Sequence, residues 1–119
     1  MANTYTQLYI HVVFAVKYRN GAISNQWKDE LYKYITGILQ NNKHKLISIN
    51  GMCDHIHVLI GLHATQSISD LIQDIKANSS KWINEKKFTK SKFEWQAGYG
   101  AFTYSRSQIK QVALYIENQ

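Results

Sequence analysis

"KLISINGMCDHIHVLIGL", residues 45–62, decides how this chain folds. Two apolar runs of strand character, 45–52 and 55–62, are joined through "GMCD", and they read as a hairpin with a tight connection. Alternation along the second run sends Ile56, Val58, Ile60 and Leu62 to one face, fit to pack under helices. His55 and His57 then share the opposite, open face.

Working outward, residues 5–17, "YTQLYIHVVFAVK", place Leu8, Ile10, Val12, Phe14 and Val16 on one side and Tyr9, His11, Val13 and Ala15 on the other, which predicts a first strand. Ser24 reads as the N-cap of a helix to about Asn42, with Trp27, Leu31, Tyr34, Ile35, Ile38 and Leu39 at helical spacing. Ser67, three residues before Asp70, resembles a capping box for a second helix over 67–86. "FEWQAGYGAFTY" (93–104) is aromatic and β-rich enough for a fourth strand. "SRSQIKQVALYIENQ" (105–119) predicts a third helix with the apolar stripe Ile109, Val112, Ala113 and Ile116. The order β-α-β-β-α-β-α is an α+β, ferredoxin-like split βαβ: a four-stranded antiparallel sheet, two helices on one face, and a C-terminal helix carrying Tyr115.

At 119 residues, the chain is expected to form one domain, 1–119. Fourteen Lys and Arg against eight Asp and Glu give a net charge of +6. That excess, with eight tyrosines, leans towards nucleic acid. The single Cys53 cannot form an internal disulfide, and "MANTYTQLY" lacks the pattern of a secretory leader, so a reduced, cytoplasmic setting is expected. No apolar run is long enough for a membrane span, and no membrane partner is expected. Cys53 reads as a packed thiol, because a structural zinc site would need further suitably spaced ligands.

Residues i and i+2 on a strand project in parallel, roughly 6–7 Å apart at the backbone, so two imidazoles there can chelate one cation. By itself the pair more often marks solvated or core-edge histidines, and it needs a third ligand. On the third helix Tyr115 and Gln119 lie four apart and share one face, which brings a phenol and an oxygen ligand together. Amphipathic packing at a helix edge would also explain Tyr115. His11 faces the same side as the histidine pair and reads as a supporting or surface histidine rather than a ligand. Gly98 and Gly100 read as a bulge or close backbone approach, and Trp27, Trp82 and Trp95 as core anchors.

"DHIHVLI" (54–60) resembles the HUH motif of paired histidines around a bulky apolar residue. "WQAGYGAF" and "YIENQ" resemble the C-terminal signature of the single-tyrosine HUH transposases of insertion-sequence 200/605 type, and "KYR" (17–19) follows the first strand as it does there. The resemblance spans nearly the whole chain. It implies that His55 and His57 bind Mg²⁺ or Mn²⁺, that Gln119 completes the protein ligands, and that Tyr115 is the nucleophile. The implied substrate is single-stranded DNA with hairpins at element ends, and the implied assembly is a homodimer with trans active sites. Tyrosine attack would conserve the phosphodiester linkage as a 5′-phosphotyrosine, so cutting and joining become one reaction run twice. An ordinary phenol, with a pKa of about 10, then needs help to ionise.

Candidate phosphate contacts are Lys17, Arg19, Lys76, Lys81, Lys86, Lys87, Lys90 and Lys92, with Tyr18 as a stacking partner. Family members usually continue past this glutamine, and a ligand at the last residue of a helix is prone to fray. A non-catalytic module, or a domesticated relative, is the competing reading, since a four-stranded sheet with an aromatic face also serves single-stranded RNA. A two-histidine phosphoesterase would need paired His-x-Thr or His-x-Ser motifs, and His63-Ala64-Thr65 alone does not supply them.

Overall fold

A computed structural model describes residues 8–19, 21–63 and 65–119. Residues 5–7 of the expected first strand, the start inspected for a leader, Asn20 and Ala64 lie outside them. The strands are β1 (Leu8–Ala15), β2 (Lys45–Met52), β3 (His55–Leu62) and β4 (Gly100–Tyr104), and the helices α1 (Lys28–Asn41), α2 (Ile68–Lys86) and α3 (Ile109–Glu117). All neighbouring strands are antiparallel in the order β2-β3-β1-β4, which is the expected split βαβ sheet. β3 and β1 are the inner strands, and β2 and β4 are the edges.

One face of this sheet is a dry core. Ile10, Val12 and Phe14 of β1 and Ile56, Val58 and Ile60 of β3 are buried under Leu31, Ile35 and Leu39 of α1 and Leu71, Ile72, Ile75 and Ile83 of α2. The helical residues recur at three and four, so each helix turns a single stripe inward. Ser67 caps α2 as expected, its Oγ accepting the Asp70 N–H at 3.1 Å. Trp27 is buried, and Trp82 and Trp95 pack partly buried against the core.

Four expectations are corrected. Ser24 does not cap α1: its carbonyl takes the N–H groups of Trp27 and Lys28, making a turn, and the helix starts at Lys28. Trp27, stacked on Phe88 at 5.1 Å, anchors that start by packing. The fourth strand is shorter than 93–104. Asn84 of α2 bonds both backbone groups of Phe93, and the Lys76 ammonium donates to the carbonyls of Gln96 and Gly98, so helix side chains take backbone groups that a ladder would use. Gly98, at φ 86°, then turns the chain into β4. Cys53 is exposed, because it falls in the two-residue turn between β2 and β3. The histidine face is not fully open either, since α3 packs across it over β2 and β3. Leu59 and Ile116 are both fully buried there.

β2 carries an irregularity that alternation cannot foresee. Leu46 pairs with Ile60, but the next pair is Ser48 with Leu59, so Ile47 is an extra residue, a bulge. Past it the facing is inverted. Ile49 turns to the core opposite Val58, and Asn50 lies opposite His57 on the histidine face.

Candidate active site

His55 and His57 project from β3 with ring centroids 5.0 Å apart and planes at 77°. Each ring is held through Nδ1. His55 Nδ1–H donates to Asp54 Oδ1 at 2.7 Å, and His57 Nδ1 lies 2.9 Å from Nε2 of His11. Asp54 in turn holds Arg19, whose Nε is 3.4 Å from Oδ2. Neither Nε2 of the pair takes part in a hydrogen bond among the described residues. A carboxylate behind one imidazole and a neutral ring behind the other are the supports that orient histidines as metal ligands. Asp54 gave no separate signal in the sequence beyond standing beside His55.

The electrostatics suit that role. Burial, then the neighbouring His11 and His55, push the His57 pKa down to about 4, and burial lowers that of His11. Both rings are therefore neutral at pH 7, with lone pairs free of protons. The Asp54 carboxyl is held below its usual range, first by its hydrogen bond from His55 and also by Arg19. Among the described residues no three His, Cys, Asp or Glu converge on one point. A cation here would rest on two imidazoles plus an amide or solvent oxygen, and the donor set fits a divalent ion that keeps open positions.

α3 brings the phenol. A turn at Arg106–Gln108, closed by a capping box between Ser105 and Gln108, starts the helix. Tyr115 stands with its ring edge-on to His57, centroids 6.1 Å apart at 88°, and it is 57% exposed. The helix ends at Glu117, short of the expected 119, so Gln119 lies two residues past it; its side-chain amide donates to the Tyr115 carbonyl at 3.2 Å, which leaves the amide oxygen outside that bond. His55, His57 and Tyr115 are thus gathered within a single chain.

The basic candidates fall elsewhere. Lys81, Lys86, Lys87, Lys90 and Lys92 are exposed along the second half of α2 and the segment after it, where Lys87 ends the helix in the left-handed conformation. Lys76 is committed to backbone carbonyls. Lys17 pairs with Glu94 at 3.3 Å. Tyr18 and Arg19 both adopt left-handed backbone, φ 62° and 53°, and Tyr18 is 86% exposed. Lys17, Tyr18 and Lys92 line one groove, of about 190 Å³, and Arg19 links that turn to Asp54 and so to His55.

A split βαβ sheet carrying a His-x-His pair beneath a tyrosine-bearing helix is the arrangement that the resemblance to single-tyrosine transposases implied. The chain belongs to the family described as "Transposase IS200 like", which matches residues 4–119. It is 28% identical to the ISDra2 transposase TnpA of Deinococcus radiodurans, over 95% of this chain and 84% of that protein. It is 26% identical to the transposase for insertion sequence element IS200 of Salmonella typhimurium, over 100% of this chain and 81% of that one. Among solved structures, a protein from Deinococcus radiodurans R1 assigned as a transposase superposes with a TM-score of 0.80 at 25% identity, covering 100% of this chain and 95% of that one. A REP-associated tyrosine transposase, solved bound to a REP hairpin, shares the fold at a TM-score of 0.71 and 13% identity, covering 98% of this chain and 68% of that one.

Proposed function

We propose that this protein is a transposase that cleaves and rejoins single-stranded DNA at insertion-sequence ends through a 5′-phosphotyrosine. The observation that carries the reading is the exposed Tyr115 phenol standing edge-on to a neutral, tied-down His57 in the same chain. Tyr115 Oη attacks the scissile phosphorus, the new O–P bond forms as the P–O3′ bond breaks, and the leaving 3′ oxygen takes up a proton. His55 and His57, with Gln119, would hold Mg²⁺ or Mn²⁺. When bound, such an ion offsets charge building on the phosphate and helps the phenol ionise. Asp54 and His11 fix the two rings, and Gln119 keeps its oxygen free by spending its amide on the helix.

Lys81 and Lys86 of α2 and Lys87, Lys90 and Lys92 after it, with Lys17, Arg19 and Tyr18, are proposed to hold the DNA. A relative of the same fold bound to a hairpin supports a hairpin substrate. A homodimer is proposed along the exposed β4 edge, which among the described residues pairs with β1 alone and is suited to strand addition. Exchange of α3 between two subunits would build the same constellation in trans. The test is a nicking assay on labelled single-stranded element ends with Mn²⁺. Tyr115→Phe should abolish the covalent protein–DNA adduct and leave hairpin binding unchanged. An adduct that persists in this variant removes Tyr115 from the role.

A further inference from the structure

We infer that Asn50 is a positioning residue that docks the tyrosine helix onto the histidine pair. Its Nδ2 donates towards the last turn of α3, reaching the carbonyls of Ile116 at 3.0 Å, Glu117 at 3.1 Å and Gln119 at 3.4 Å. The last carbonyls of a helix lack the partner four residues on that earlier ones have, and a side-chain amide aimed at two of them, Ile116 and Glu117, and at Gln119 just past the helix, is a cap supplied by another element. That element is β2, where Asn50 stands directly opposite His57. The peptide it grips begins one residue after Tyr115, and the same grip ends at Gln119.

The placement depends on the bulge at Ile47. Strict alternation from Leu46, which faces the core opposite Ile60, would turn Asn50 into the core; the extra residue turns it to the histidine face. The helix it holds has only nine residues and one fully buried side chain, Ile116. So short a helix is marginal without tertiary contacts. Losing the amide would let the phenol and the glutamine drift together from the imidazoles while the core under α1 and α2 stays whole.

The catalytic part of this inference rests on the function proposed above; the docking part does not. Asn50→Asp keeps the shape but replaces the donor with a carboxylate facing the negative end of a helix, and Asn50→Gln keeps a donor. Amide hydrogen exchange at Leu114–Gln119 should accelerate about tenfold in Asn50→Asp, the loss expected when one hydrogen-bonding partner is removed. Exchange in α1 and α2, and hairpin binding, should be unchanged. Adduct formation at saturating DNA should fall by a similar factor, with Asn50→Gln recovering part of both effects. Unchanged exchange in α3 of Asn50→Asp overturns the docking role. Accelerated exchange with an undiminished adduct rate overturns the positioning role. A wild-type protein that forms no adduct defeats the proposed function, while the exchange measurement still decides the docking.

Discussion

The two faces of the sheet are built on opposite plans. Under α1 and α2, every inward residue of β3 is apolar and the helices bring matching stripes, so many interchangeable contacts hold that side together. On the other face a short helix is held by Ile116 and by one amide, over a row of imidazoles whose hydrogen bonds are each made once. The difference teaches where stability and the proposed chemistry separate: the first face sets whether the chain folds, and the proposed reaction draws on the second.

Ile56 is the sharpest place to break that division, since it lies between His55 and His57 in sequence and on the other face in space. Ile56→Ala should cost about 2–5 kcal/mol of stability, as for other fully buried aliphatic residues, while leaving the metal dependence of cleavage unaltered below its lowered melting point. Urea unfolding measures the first part and a Mn²⁺ titration of nicking the second. A change in metal dependence equal to that of His57→Gln would mean that the two faces are not separable.

A smaller effect comes from pH. His57 titrates near 4 in the folded protein and near the ordinary 6.5 when unfolded. Between those values the unfolded chain binds a proton that the folded one refuses, so stability should fall as pH drops from about 6.5 towards 4. His11, lowered by burial, adds to the slope in the same direction. Denaturant midpoints of metal-free protein at successive pH values would show it, and His57→Gln should flatten the curve. An equal slope in the variant would place the titration elsewhere.

The smallest effect is expected where neither face is involved. Tyr18 is in left-handed backbone and almost fully exposed. Tyr18→Gly should relieve roughly 1 kcal/mol of backbone strain and therefore leave the protein as stable or slightly more so. Affinity for single-stranded DNA should drop with the lost stacking surface. Undiminished affinity in a fluorescence anisotropy titration would take Tyr18 out of the DNA contact.

Much of this was legible in the amino-acid order, because it depends on neighbours along the chain. The alternation of β3 separates His55 and His57 from Ile56 and Val58, and the stripes of α1 and α2 show which sides turn inward. The spacing of four sets Tyr115 and Gln119 one turn apart, although α3 itself stops at Glu117 and the Gln119 amide reaches back to the Tyr115 carbonyl from beyond its end. These are short-range regularities fixed by the repeat of strand and helix.

Only the tertiary structure decided how the histidine face is finished. The bulge at Ile47 inverts the alternation that would have pointed Asn50 at the core, and α3 crosses the face that the alternation leaves open. His11 and Asn50 join Asp54, the chain neighbour of His55, around one site because strand pairing and helix docking join segments far apart in the chain. A one-residue slip reverses every side chain beyond it, and hydrogen bonds made once between distant elements leave no periodic trace in a sequence.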